Sequence, residues 1–115
     1  MMDTVQSAEW VARLHAFTNR NAGRRTIMEI DIPEYGAQAS ETDYPLWGVA
    51  FDPRDGRVQI MLGEQGSVEQ HLTHSVVSPE GIEILTEGGR DRALRIAHGG
   101  GQTLLTFIET GADGP

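Results

Sequence analysis

The residues of this chain best suited to chemistry are two histidines, His71 and His74, which stand three positions apart. An imidazole can serve as a general acid or base near neutral pH, and it is also a common metal ligand. The alternation of residue types over 68–77 predicts a β-strand, in which an odd separation sends side chains to opposite faces. The two rings therefore do not converge on one ion unless the strand bulges between them.

The two histidines are predicted to have different surroundings. His74 shares its face with Leu72 and Val76, so we predict that it is buried, neutral and hydrogen-bonded, with a pKa below the unperturbed ~6.5. His71 falls with Thr73 on the polar face, where the two side chains could line a site. The alternatives are a structural role for His74 and an ordinary solvated surface around His71.

Three other motifs resemble ligand-binding signatures but are better explained as turns. His98 and the three glycines after it have the letters of a lipase oxyanion loop, yet the chain has no Gly-x-Ser-x-Gly nucleophile motif. Residues 52–56, Asp-Pro-Arg-Asp-Gly, resemble the start of a calcium loop without its later carboxylate. Gly88, Gly89 and Arg90 precede a predicted strand, so no helix N-terminus is available there to bind an anion.

A second candidate site lies in a polar segment. Residues 34–43 form the longest stretch without clear periodicity, which predicts either a functional loop or an irregular sheet edge. Tyr35, Tyr44 and Trp47 lie in or beside this stretch, and aromatic side chains supply contact area at little entropic cost. A binding surface is therefore expected to include these aromatic residues, with His71, Thr73 and His74 as the other candidates.

The size and composition of the chain limit its architecture. Its 115 residues are enough for one domain with its own core, predicted over residues 1–110, with 111–115 as a disordered tail. Cysteine is absent, which excludes disulfides, thiolate metal sites and a thiol nucleophile. Any metal site would have to use His, Asp and Glu, and we expect no cofactor.

Charge and hydropathy narrow the classes of partner. Seventeen acidic and nine cationic residues give a net charge of −8, which argues against nucleic acid as a partner. No apolar run approaches the ~20 residues that a membrane span needs, and the first seven residues do not resemble a leader. We therefore expect a cytoplasmic protein that does not bind membranes.

One amphipathic helix is predicted near the start of the chain. Trp10, Val11, Leu14 and Phe17 form a single apolar stripe with helical spacing. Ser7 is placed to cap the helix, which ends after about three turns, before Gly23. Such a stripe is typical of a helix that packs on a sheet.

From residue 24 onward the apolar period changes to two. The connections are short and contain Gly or Pro, which suits antiparallel hairpins rather than parallel crossovers. We predict an α+β fold, with the helix packed on a strongly curled antiparallel meander, and a partly open barrel is one such arrangement. The runs give about seven strands, over residues 26–32, 46–52, 57–63, 68–77, 82–87, 92–98 and 102–110.

The strand pattern also predicts positions within the sheet. Trp47, Val49 and Phe51 alternate and should share one face. The strand over 102–110 is apolar on both faces, so it should be central. The strand over 24–32 has few charges on one face, and an open edge there would favour a homodimer slightly over a monomer.

These observations leave two functions open. The hairpin-rich pattern and the missing catalytic signature favour a small module that binds a protein or a small molecule. A small enzyme or metal-binding protein using His71, Thr73 and His74 is the alternative. The sequence does not decide whether the protein is an enzyme.

The order of motifs resembles a family of small bacterial proteins of unknown function. The resemblance covers nearly the whole chain and implies no activity, substrate or cofactor. It directs attention to the histidine strand. The motifs that carry it are Glu9-Trp10, Pro45-Leu-Trp-Gly48, His71-Leu-Thr-His74 before Pro79, and Thr103-Leu-Leu-Thr-Phe107.

Overall fold

The computed structural model describes residues 1–32, 37–63 and 71–108, without the side chains of 37–42. Its one α-helix, α1 (Trp10–Asn21), follows a single 3₁₀ turn, Ser7–Glu9. The predicted cap is wrong, since Ser7 lies inside that turn and no side-chain hydrogen bond caps either helical segment. No helix in the described ranges has the length and apolar character needed to cross a membrane.

One side of α1 faces the core. Trp10, Leu14, Phe17 and Asn21 recur every three or four residues and are buried, as the predicted stripe requires. Val11 does not belong to this stripe. It lies about 100° further around the helix and is 52% exposed, so it forms part of a different surface.

Eight strands form one antiparallel sheet in the described residues, in the order β1-β6-β7-β8-β2-β3-β4-β5. The predicted α+β class, a helix with an antiparallel sheet, is confirmed. The count of about seven strands is one too low, because the four-residue β1 has too little apolar pattern to reveal a strand. The strands are β1 (Met2–Val5), β2 (Arg25–Ile32), β3 (Ala37–Asp52), β4 (Arg57–Gly63), β5 (His71–Val77), β6 (Gly81–Glu87), β7 (Arg90–His98) and β8 (Gly101–Phe107).

The long strand β3 joins two parts of the sheet. Its first part pairs with β2 as far as Pro45, and its second part pairs with β4 from Leu46 onward. The sheet is not closed into a barrel, because β1 and β5 are not paired within the described ranges. One hydrophobic cluster fills the interior between α1 and the sheet, and its largest fully buried members are Phe17, Leu14, Met28, Leu46, Ile60, Leu62, Ile82, Ile84, Leu94, Ile96 and Leu105.

The predicted meander is interrupted between β5 and β6. The short connection over residues 78–81 was expected to form a hairpin, but β5 pairs with β4, whereas β6 pairs with β1 and β7. Ser78 adopts a positive φ of 54° and donates its N–H to the carbonyl of Gly56. Glu80 then donates to the carbonyl of Ala97. These two hydrogen bonds hold residues 78–80 in place as the chain crosses from β5, which pairs with β4, to β6, which pairs with β7.

Two positional predictions for the sheet have opposite outcomes. The last strand, β8, lies between β7 and β2, so the prediction that it is central is confirmed. The prediction of an open edge on the strand over 24–32 is wrong, because β2 pairs with both β3 and β8. The structural reason for expecting a homodimer is therefore removed.

The turn interpretations of two motifs are confirmed. Gly99 and Gly100 have φ values of 46° and 81° and connect the paired residues His98 and Gly101, as in a two-residue hairpin. In the turn after β3, Asp52 accepts hydrogen bonds from the main-chain N–H groups of Arg54 and Gly56, at 2.9 and 2.8 Å. The glycines after His98 and the residues after Asp52 are therefore explained by the turns that they form.

Candidate binding site

Trp47 is on the outer surface of the sheet because of a local irregularity in β3. The pairing with β4 shifts register between Leu46 and Gly48, so the alternation of faces is interrupted there. Leu46 and Val49 are buried, whereas Trp47 is 41% exposed. The predicted common face is therefore wrong for Trp47, whereas Val49 and Phe51 both pack with the core.

The exposed indole of Trp47 contacts His71, one of the histidines predicted to line a site. The ring centroids of Trp47 and His71 are 4.0 Å apart, with 44° between the ring planes. Between the two strands that carry them runs β4, and its residue opposite His71 is Gly63. Because glycine has no side chain there, the two rings can meet across the middle strand. The exposure of His71 agrees with its predicted outward orientation.

An apolar cleft of about 300 Å³ opens beside Trp47, between α1 and β3. We call it the α1–β3 cleft. Its helical wall is a stripe with spacing i, i+4, i+7, which lies about 100° around the helix from the buried stripe. The residues lining it are Val11, His15 and Thr18 of α1, Trp47, Gly48, Val49, Ala50 and Phe51 of β3, and Met61 of β4.

Gly48 forms part of the cleft wall between the helix and β4. A β-carbon added to Gly48 would lie 3.4 Å from Cγ2 of Thr18 and 3.5 Å from Cε of Met61. These are ordinary van der Waals contacts, so the fold could accept alanine here. The added methyl group would nevertheless occupy space that glycine leaves open.

Contacts of two α1 residues, Thr18 and Trp10, fix the walls of the cleft. The hydroxyl of Thr18 accepts the N–H of Val49 at 2.9 Å and donates to its carbonyl at 3.0 Å, which ties α1 to β3. Trp10 donates its indole N–H to the carbonyl of Val5 at 3.1 Å. The Trp10 ring also meets Phe51 edge to face, with centroids 5.1 Å apart. The cleft therefore has a preformed shape.

Among the described residues that line the cleft, His15 is the one ionisable side chain, and it is exposed. The side-chain amide of Asn19 lies 3.3 Å from Nε2 of His15. If the amide donates to Nε2, the neutral ring carries its proton on Nδ1 and offers a hydrogen-bond donor. The site thus combines mostly apolar walls with a few polar groups, among them His15 and Thr18, a composition typical of ligand pockets.

A second, more polar cavity of about 570 Å³ adjoins the other side of Trp47. It shares Thr18 and Trp47 with the α1–β3 cleft, so Trp47 separates two open spaces along α1. Its other lining residues are Asn19, Ala22, Gly23, Arg25, Pro45, Leu46 and Gly63.

The structure describes only one of the two tyrosines that were predicted to form part of a binding surface. Tyr44 lies in β3 and packs partly buried against the core. Residues 37–44 belong to strand β3, and their pairing with β2 shifts register between Thr26 and Ile27. Of the two structures predicted for this segment, the irregular sheet edge is therefore supported for these residues, and the loop is not. Tyr35 lies outside the described residues.

His74 has the predicted orientation but a different environment. It points inward with Leu72 and Val76, although it is only half-buried. Its partner is the hydroxyl of Thr103 in β8, 3.4 Å from Nε2 of His74 and 2.9 Å from Nε2 of His98. Desolvation lowers the pKa of His74, and the neighbouring His98 lowers it further, so the predicted direction is confirmed.

The proposed histidine strand does not form one site. His71 and Thr73 are exposed on the outer face of β5, whereas His74 points to the opposite side. The described residues contain no group of three or more His, Asp or Glu side chains arranged to hold a metal ion. Sequence reasoning also missed His98, whose link to His74 depends on contacts between different strands.

A model of a family of unknown function, DUF5335, matches residues 1–115. The chain therefore belongs to this family, which confirms the expected membership in a family without assigned activity. The chain has no match among curated proteins or among solved structures.

Proposed function

We propose that this member of DUF5335 is a binding module whose α1–β3 cleft takes an aromatic or aliphatic group of a ligand against Trp47. The observation that carries the proposal is the position of Trp47, an exposed indole held by His71 at the mouth of an apolar cleft. Trp47 was among the residues expected to bind. The cleft adds His15, Thr18 and Met61, which the sequence did not indicate.

A ligand that covers the exposed part of Trp47 would gain a favourable hydrophobic contribution to its free energy of binding. At 41% exposure, its side chain leaves roughly 100 Å² of accessible surface, taking aromatic residues to bury about 150–250 Å² each. Removing that area from water is worth about 2.5 kcal/mol at roughly 25 cal/mol per Å². The apolar groups of Val11 and Met61 would add to this gain. A ligand that fills the cleft therefore has a favourable hydrophobic contribution available.

The cleft would also bind at a small entropic cost. Thr18 fixes α1 against the main chain of Val49, and the register shift in β3 sets the direction of Trp47. The tilted ring contact with His71 restricts the indole further. Binding to walls that are already ordered loses little conformational entropy, which leaves more of the contact energy as affinity.

The proposal can be tested with indole, p-cresol and toluene, which represent large apolar side chains. We expect these probes to shift the NMR signals of Thr18, Gly48 and the Trp47 indole N–H. Gly48→Ala should weaken binding about tenfold, a loss of about 1.4 kcal/mol, because the added methyl group would occupy space in the cleft between Thr18 and Met61 that the probe would otherwise fill. The melting temperature of this variant should change little, since its new contacts are ordinary ones.

Val77→Ala provides the matched control. Val77 is 62% exposed and does not line the cleft, so its loss removes surface hydrophobicity without altering the site. Binding that is equally weak in both variants would point to nonspecific adsorption. Shifts that cluster away from Trp47, or no shifts with any probe, would refute the proposed site.

A further inference from the structure

Three side chains link the inner side of β5 to β7 and β8. Thr103 of β8 is fully buried, and its hydroxyl lies 2.9 Å from Nε2 of His98 in β7 and 3.4 Å from Nε2 of His74 in β5. His74 and His98 are each partly buried. We call these residues the His74–Thr103–His98 network. It joins β5, which pairs with β4, to two strands in the other part of the sheet.

The network can hold only a limited number of protons. A hydroxyl donates one hydrogen bond, and a neutral imidazole has one N–H donor and one acceptor nitrogen. With neutral rings, Thr103 can donate to Nε2 of one histidine and accept the N–H of the other. When both rings are protonated, both Nε2 atoms are donors, so neither accepts the hydroxyl proton. Two like charges then lie on either side of a buried hydroxyl.

The immediate neighbours of the network are apolar. The residue opposite His74 in β4 is Ile60, the residue opposite Thr103 in β7 is Ile96, and both are fully buried. Burial is accordingly the main cause that lowers the pKa of His74, and the charge of His98 lowers it further. A proton on one ring therefore disfavours a proton on the other.

The other ionisable side chains on the strands around His74 lie elsewhere. Arg57 of β4 and Arg95 of β7 alternate with buried neighbours and so point to the outer face, where Arg95 binds Glu83 at 2.6 Å. Strand β8 has no ionisable residue. These strands therefore bring no carboxylate to a protonated network. The remaining ionisable residues of β7 lie six or more positions before His98 and are Arg90, Asp91 and Arg92.

Strand β5 connects this network to the α1–β3 cleft. His74 and His71 lie three positions apart on opposite faces of β5, and His71 contacts Trp47 at the mouth of the cleft. The edge of β5 opposite β4 pairs with no strand in the described residues. The position of β5, and with it that of His71, therefore depends on the pairing with β4 and on the inner network.

We propose that protonation of the His74–Thr103–His98 network weakens ligand binding at the α1–β3 cleft. This inference rests on the proposed function and concerns the regulation of that site. As the pH falls, positive charge accumulates on the inner side of β5, and the strand shifts away from β7 and β8. His71 moves with it, so Trp47 loses the ring contact that restricts the indole. A less ordered indole loses more conformational entropy on binding, which lowers the affinity.

NMR titration with indole at pH 7.5 and pH 5.0, at constant ionic strength, tests the proposal. We expect Kd to be at least about fivefold higher at pH 5.0, as for a typical coupling between two sites. His98→Gln should remove most of this difference, because an uncharged amide can still hydrogen-bond to Thr103. His74→Gln removes the histidine pair from the other side and serves as the second variant if the first does not fold.

His15→Gln is the matched control, because His15 is an exposed histidine of the cleft whose own titration would also make binding depend on pH. This variant should keep the ratio of the two Kd values. A ratio that persists in both His98→Gln and His74→Gln would assign the effect to histidines at the cleft and overturn the proposal.

A measurement without ligand separates this proposal from the proposed function. The nuclear Overhauser effect between the rings of Trp47 and His71 should weaken from pH 7.5 to pH 5.0 in the unmodified protein and persist in His98→Gln. If indole does not bind at pH 7.5, the proposed function fails, and the ring contact alone decides whether β5 responds to pH. A ring contact that does not change with pH in the unmodified protein would overturn this proposal, whether or not indole binds.

Discussion

The two tryptophans differ in their exposure to solvent, and so do the two histidines of β5. Trp10 is 8% exposed and hydrogen-bonded to the carbonyl of Val5, whereas Trp47 is 41% exposed and in a tilted ring contact with His71. His74 faces inward to Thr103, whereas His71 faces outward. The residue type alone therefore does not decide the role. The face on which a side chain lies decides whether it stabilises the fold or remains available to a ligand.

The largest expected effect comes from the inner tryptophan. Trp10→Ala should lower the free energy of unfolding by about 3–5 kcal/mol, because it leaves a large cavity and removes the contact with Phe51. Trp47→Ala should cost about 1 kcal/mol or less, as expected for a partly exposed side chain. Urea unfolding of both variants measures the difference. Equal losses would mean that Trp47 is a core residue and that the contrast between the faces is wrong.

An intermediate effect is expected for the histidines on β5. His74→Ala should cost about 1–3 kcal/mol, since it creates a cavity and removes a hydrogen-bond partner of Thr103. His71→Ala should cost little, because its side chain is exposed. Thermal or urea unfolding of the two variants can rank them. A larger loss for His71 would show that the faces of β5 are reversed.

The smallest expected effect is a dependence of stability on pH. The folded pKa of His74 lies below the unfolded ~6.5, so the unfolded chain binds the proton more readily. The stabilisation is fully present above about pH 6.5 and is lost as the pH falls through the lower folded pKa. Urea unfolding between pH 8 and pH 5 should show this decline, and His74→Gln should reduce it. A His74 signal that titrates above 6.5 in the folded protein would contradict the prediction.

Local features of the fold were predictable from the sequence. The spacing of Trp10, Leu14 and Phe17 identified α1, and the glycines after His98 identified a hairpin. Both features depend on interactions between nearby residues. The crossing at residues 78–80 was not predictable, because the partners of β5 and β6 are chosen by long-range pairing. A Pro-containing turn gives the same local signal in either topology.

The candidate site was predictable in parts. Trp47 and His71 were each identified, but their contact depends on the register shift in β3 and on Gly63 in the strand between them. His15 and Thr18 were not predicted, because neither belongs to the apolar stripe that identifies the buried side of α1. The neighbouring stripe that starts at Val11 was a usable signal, since it places a second partly apolar surface on α1.

The hydrogen bonds between Thr18 and Val49 also bear on the solubility of the protein. The first part of β3 pairs with β2 only as far as Pro45. Beyond that residue, the edge of β3 opposite β4 pairs with no strand in the described residues, and the N–H and carbonyl of Val49 on this edge bind Thr18 of α1 instead. An uncovered strand edge of this kind is a template for intermolecular pairing and aggregation. The hydroxyl of Thr18 satisfies both main-chain groups of Val49, so the helix blocks this pairing at that position. Detachment of α1 without global unfolding would therefore create a species prone to self-association.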